Sequence, residues 1–156
     1  PYPIQCAGVG ISPRGHVCFR GRGEPIDDPR FCRQETVQCL ISACLMIPAA
    51  LLQKHGGFDE AFHPVQFEDF DLCYRLREAG HVAVYTPSVE MYHFESVTTQ
   101  GTPTVKNAAV VVRNGLLFQK RWRHLFERED GPAEEACRWR KTEAVPFASI
   151  GPLPLV

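Results

Sequence analysis

Three short stretches hold the residues best suited to chemistry: Gly56-Gly57-Phe58-Asp59-Glu60, Glu68-Asp69-Phe70-Asp71-Leu72 and His93-Phe94-Glu95-Ser96. Carboxylates and imidazoles are the side chains that most often move protons or hold metals. Singly, each stretch also has an ordinary structural reading. A Gly-Gly pair makes a turn, acidic residues favour the positive end of a helix dipole, and a histidine between Tyr92 and Phe94 fits a core.

Helical spacing separates the carboxylates. The pattern from Glu68 to Ala79 predicts a helix ending at Gly80. Glu68, Asp71, Arg75 and Glu78 fall on its polar face, where Asp71 and Arg75 can pair at i,i+4. Asp69 lies three, four and seven residues before Leu72, Cys73 and Leu76, which puts it on the apolar face. A carboxylate turned toward a core is costly unless something there uses it.

The elements that must position these residues are short. Runs at Ile4 to Ile11 and His16 to Phe19 read as strands, followed by a polar loop through Gly21-Arg22-Gly23-Glu24-Pro25. Thr36 to Ile47 reads as a buried strand, Pro48 opens a short helix from Ala49 to Lys54, and Gly56-Gly57 ends it. His81 to Thr86 and Val89 to Phe94 read as strands, and Glu95 to Pro103 as a polar loop. A long helix is predicted over Val105 to Glu129 and a short one over Ala133 to Lys141, with an irregular tail from Pro146.

A length of 156 residues suits one domain with a real core. The net charge of -1, with acids and bases interspersed, speaks against nucleic acid as the partner. Arg20, Arg22, Arg30 and Arg33 could hold a phosphate locally, although a solvated loop is the favoured reading of them. The seven cysteines are unevenly spaced and form no C-x-x-C pair; Cys39 and Cys44 read as small buried hydrophobes in a reducing cytosol. The most apolar stretch, Val37 to Leu52, is broken by Gln38, Ser42 and Pro48 and is shorter than the ~20 residues of a membrane helix. Residue 1 is a proline, so the chain is expected to begin inside something larger or to have been cut or engineered.

Taken in order, the motifs resemble the second half of family 2 glycosyltransferases of the GT-A fold. The matching residues are Ser42-Ala43-Cys44-Leu45-Met46 as a small-residue strand end, Gly56 to Glu60 as a G-G-F-D-E turn and Glu68 to Leu72 as an E-D-x-D-L helix start. Arg75-Leu76-Arg77-Glu78-Ala79-Gly80 then closes that helix, and His93 to Ser96 gives H-x-E-S. The resemblance runs from about residue 4 to 125 and is densest from 39 to 96.

It implies an α/β chain, a partial GT-A-like fold with a mixed sheet and flanking helices, lacking the N-terminal nucleotide-binding half. Residues 1–130 would form the acceptor-side part and 131–156 a short helix and tail. The implied reaction is inverting transfer from a nucleotide-sugar donor to the hydroxyl of a glycan or other acceptor, in polysaccharide assembly. Asp69 would be the base, kept charged by the helix N-terminus and basic by partial burial. Glu68 and Asp71 would cap, orient or pair beside it, and Glu95 would support the site by orienting His93. Ser42, Ala43, Cys44, Gly57 and Asp59 would line the substrate, with strand packing and turn capping as the plainer roles of these residues. His93 would bind a divalent cation, Mn²⁺ or Mg²⁺, with the other ligands coming from the missing half.

Two departures stand against the family pattern. No arginine follows His93-x-Glu95-Ser96 closely, where Val97-Thr98-Thr99-Gln100 intervenes, and Asp27-Asp28 lies in a predicted loop that does not replace the absent D-x-D pair. The chain alone is thus expected to be inactive or weakly active, to sit in the cytoplasm or at the inner face of the membrane through a parent protein, and to self-associate through uncovered apolar surface. The rival is a non-catalytic module binding a glycan or a protein; a small metal-binding protein using His63 and His93 is a third reading.

Overall fold

The computed structural model describes residues 2–93 and 108–142. Glu95, Ser96, the loop expected from Glu95 to Pro103 and the tail from Pro146 lie outside the described residues. The architecture is mixed α/β, with small antiparallel sheets and three α-helices among the described residues.

β1 (Val9–Ile11) and β2 (Val17–Phe19) form an antiparallel hairpin in the register Val9 to Phe19 and Ile11 to Val17. β3 (Glu35–Val37) pairs with β4 (Ala83–Tyr85), also antiparallel. Two hydrogen bonds between Val9 and Cys39, of 2.9 and 3.0 Å, link the two pairs. Where one mixed sheet was expected, the described strands pair only antiparallel.

The predicted strand over Thr36 to Ile47 is shorter than its composition suggests. Once Cys39 has bonded to Val9 the ladder ends, and Ser42–Cys44 forms a 3-10 turn with Cys44 exposed rather than buried. Residues 89–93 are exposed and unpaired as strand, and the expected helix over 133–141 contracts to a 3-10 turn at Glu134–Cys137.

The helices fall close to their predicted places: α1 is Ala49–His55, α2 is Glu68–Glu78 and α3 is Ala108–Phe126. α3 buries Asn114, Phe118, Trp122 and Phe126, one residue per turn on a single stripe. Phe118 meets Tyr74 of α2 edge to face at 5.3 Å, and Trp122 meets the same ring at 5.6 Å. With Val9, Ile11, Cys39, Phe62, Phe70 and Cys73 they form the core, where each large side chain contributes about 1.5–3 kcal/mol.

The segment 131–142 packs along the hairpin. A Cβ on Gly131 would stand 2.2 Å from the carbonyl oxygen of Ile11, so only glycine fits there. Cys18 Sγ donates to the Ala136 carbonyl at 3.2 Å. Arg22, read from the sequence as part of a solvated loop, is buried: it stacks 3.9 Å from the Trp139 ring centroid and donates Nε to the Arg140 carbonyl at 2.8 Å.

Candidate active site

Asp69 sits in the first turn of α2 and is 8% exposed. Its Oδ2 accepts the Ser42 backbone N–H at 3.0 Å and its Oδ1 the Phe70 N–H at 2.9 Å. Burial raises its pKa, and the hydrogen bonds from Ser42 and Phe70 oppose that rise. The result is a carboxylate that holds a proton more readily than an exposed aspartate while remaining fixed in direction. Glu68 beside it is half-buried; burial also raises its pKa, and its Oε2 is enclosed with no hydrogen-bond partner.

The chain enters α2 through an uncommon backbone. Gln66 and Phe67 both take positive φ, 72° and 74°, a region that costs a residue with a side chain about 1–3 kcal/mol. Asn114 of α3 spans this turn, fully buried: its Nδ2 donates to the carbonyls of Phe62 at 2.6 Å and Val65 at 2.7 Å, with Gln66 at 3.3 Å. Phe67 packs against Phe70 and Phe118, with ring centroids 5.7 and 5.6 Å away.

Asp71 departs from the sequence reading. Helical spacing places it on the solvent face, yet it is 0% exposed because α3 covers that face. Its Oδ2 accepts Arg75 Nε at 2.8 Å, the expected i,i+4 pair, and its Oδ1 accepts Trp122 Nε1 at 2.9 Å and Arg121 Nη1 at 3.1 Å. Arg75 continues to the carbonyls of His55 and Gly57, each at 2.5 Å, and Arg121 continues to Asp59 at 2.7 Å. Asp59 also caps the next 3-10 turn through the Ala61 N–H, and these bonds lower its pKa. Two arginines and two aspartates therefore tie the Gly56-Gly57 turn to α2 and α3. Spacing within α2 could not reveal this, since Arg121 and Trp122 come from a helix fifty residues on.

Ser42, Gly57, Phe58 and Leu72 line one cleft of about 350 Å³, completed by Leu45, Ile47 and Leu52. Ser42 joins this cleft to Asp69, while Ala43 is half-buried and Cys44 exposed. Its walls are apolar apart from Ser42, and Met46 beside them is 96% exposed. His93 stands apart from this group: it is exposed, and its Nδ1 is 3.0 Å from Gln5 Oε1. Among the described residues no three His, Cys, Asp or Glu side chains converge as metal ligands, so His93 is one donor without a set. No helix of the described residues is long and apolar enough to cross a membrane.

Comparison with known proteins gives partial similarities. An uncharacterized protein of Sinorhizobium fredii is 32% identical over 77% of this chain and 14% of its own length. The N-acetylglucosaminyl-diphospho-decaprenol L-rhamnosyltransferase of Mycobacterium tuberculosis is 36% identical over 49% of this chain and 24% of its own. The pre-mycofactocin glycosyltransferase of the same organism is 40% identical over 37% of this chain and 12% of its own. The chain thus spans less than a quarter of the length of these curated relatives. No family model matches the chain, and no solved structure matches it. The relatives with a named activity are glycosyltransferases, and these similarities support a glycosyltransferase family.

Proposed function

We propose that this chain is the acceptor-side, C-terminal part of a family 2 glycosyltransferase domain of the GT-A type, with Asp69 as its base. The observation that carries this reading is the buried Asp69 carboxylate, held by two backbone N–H groups, one of them from Ser42, which lines the cleft. In the proposed reaction Asp69 takes the proton of an acceptor hydroxyl. The oxygen attacks the anomeric carbon of a nucleotide-sugar, the nucleoside diphosphate leaves from the opposite face, and the anomeric centre inverts. Ser42 and Phe70 hold the carboxylate on its line, and burial keeps it basic enough to act.

The acceptor side is the cleft between Ser42 to Ile47 and Gly57-Phe58. The rhamnosyltransferase relative is named for an acceptor that joins a sugar, a diphosphate and decaprenol. An apolar cleft beside a base suits an acceptor of that amphipathic kind. A divalent cation on the donor diphosphate would depend on ligands outside the described residues, since His93 has no companions here. Glu95 belongs to the same reading as a supporting carboxylate. A cytoplasmic site of action at the membrane face, and self-association of the isolated chain, complete the proposal.

The test is Asp69→Asn in the full-length protein, with donor binding measured beside turnover. Transfer should vanish while the donor dissociation constant stays within about twofold, because Asn keeps the shape and loses the base. Turnover that survives the substitution removes Asp69 from the mechanism.

A further inference from the structure

Asp69 is aimed by the turn before it, and that turn is shaped from α3. Gln66 and Phe67 keep their left-handed backbone only because the surroundings over-determine it. Two adjacent residues of α3 supply those surroundings. Asn114, at 0% exposure, grips the carbonyls of Phe62, Val65 and Gln66 with its amide nitrogen, while its Oδ1 accepts Arg113 Nε at 3.0 Å and Nη2 at 2.9 Å. Arg113 Nη2 in turn donates to the His63 carbonyl.

Gly115 supplies the space. A Cβ there would lie 3.3 Å from Cζ of Phe67, so the missing side chain is what lets that ring seat against α3. Glycine inside a helix lowers helix stability relative to alanine, so its presence in mid-α3 needs a packing reason. The Phe67 ring is that reason.

We propose that Asn114 and Gly115 are positioning residues for Asp69: together they lock the Phe62 to Phe67 turn and thereby set where the carboxylate points. This rests on the assignment of Asp69 as the base, but its first readout does not. Glu68 and Asp69 follow the locked turn directly, so a rotation of Phe67 is passed to the first turn of α2 and to the Ser42 contact. Neither Asn114 nor Gly115 touches the cleft, and neither is offered as a catalytic residue.

The decisive variant is Gly115→Ala, with Asn114→Ala and Asn114→Asp beside it. In the 156-residue chain, carbon NMR follows the Asp69 carboxyl titration, and amide exchange follows residues 66 to 70. Gly115→Ala sets the helix preference of alanine against crowding of the Phe67 ring, so the chain should stay folded with an unfolding midpoint close to that of the parent. It should nevertheless speed exchange at 66 to 70 and move the Asp69 titration toward that of an exposed aspartate. In the full-length protein it should lower kcat by about 10- to 100-fold, leave donor KM within about twofold, and move the acid limb of the pH–rate profile to lower pH. Asn114→Asp should do no better than Asn114→Ala, because a carboxylate oxygen in place of Nδ2 has no proton to donate to the Phe62 and Val65 carbonyls.

Unchanged exchange and titration in a folded Gly115→Ala chain would overturn the proposal, and so would full turnover with an unmoved pH profile. If exchange and titration shift while Asp69→Asn retains transfer, the positioning role stands and the assignment of the base falls. If Asn114→Ala does not fold, Gly115→Ala alone decides.

Discussion

The Ser42 backbone N–H donates to Asp69 Oδ2 at 3.0 Å, joining the end of one irregular segment to the start of α2. This bond shows why the predicted strand over Thr36 to Ile47 gives way to a turn: the N–H that would have continued a ladder is taken by a side chain. It also makes the stability of the fold depend on the charge of Asp69.

Because Asp69 is raised by burial, the folded chain binds this proton more tightly than the unfolded chain does. Stability tied to the group is full below the unfolded value of about 3.9 and is lost as pH rises through the higher folded value. Asn at this position has no such slope. The midpoint of thermal unfolding for Asp69→Asn, minus that of the parent chain, should therefore grow more positive between about pH 3 and pH 7. Glu68, raised in the same direction, is present in both proteins and largely cancels. A difference that is flat or shrinks with pH contradicts the burial account.

Thiol chemistry gives an independent view of the same neighbourhood. Cys32 and Cys44 are exposed, whereas Cys18, Cys39 and Cys73 are buried. Cys6 is pushed up to about 12 by burial. N-ethylmaleimide at neutral pH should label Cys32 and Cys44 in the folded chain and the buried thiols only after urea is added. If residues 42–44 line the substrate, labelling Cys44 should also block transfer in the full-length protein, and Cys44→Ser should protect it. Mass spectrometry of the labelled peptides beside an activity assay decides both points.

Much of this arrangement is legible in the sequence because it is local. The bounds of α2, the inward turn of Asp69 and the Asp71–Arg75 pair all follow from helical spacing within a dozen residues. What spacing cannot supply is the identity of the neighbour. Asp71 reads as solvent-facing until α3 lies over it, and Arg22 reads as part of a loop until Trp139 stacks on it. The left-handed pair Gln66-Phe67 has no glycine or asparagine to announce it, because its support comes from Asn114 in a distant helix. The metal expectation at His93 is a matter of partners too, and the described residues provide no set around it.

Asp71 should be the most sensitive carboxylate for folding. Truncation to alanine leaves the Trp122 N–H without its acceptor and removes the shared partner of Arg75 and Arg121. Breaking a buried pair in this way costs about 3–5 kcal/mol. Asp71→Asn should cost less, since one oxygen still accepts, and Trp122→Phe about 1–3 kcal/mol for the lost hydrogen bond and the group left unpaired. Urea unfolding should rank them in that order. An Asp71→Ala chain as stable as the parent would mean that the two arginines do not depend on this carboxylate.

Glu129 performs the corresponding task at the far end of α2. Its Oε2 accepts Gln38 Nε2 at 2.6 Å, Tyr74 Oη at 3.1 Å and Arg77 Nη1 at 3.3 Å, and its Oε1 accepts Arg77 Nη2 at 2.7 Å. Gln38 uses its remaining groups on the backbone of Ile11, so one carboxylate connects β1, α2 and the turn after α3. Burial raises the Tyr74 pKa first and the nearby charge of Glu129 raises it further, so the phenol stays a donor at any working pH. Glu129→Gln keeps the shape but removes the charge, and should cost about 1.5–3 kcal/mol through weakened charge-assisted bonds. Arg77→Met should cost a similar amount, and the double variant less than the sum, because each single change already breaks the shared pair. Additive costs in that cycle would show that Arg77 and Glu129 stabilise the fold independently, and that the link between the layers runs through Gln38 and Tyr74 alone.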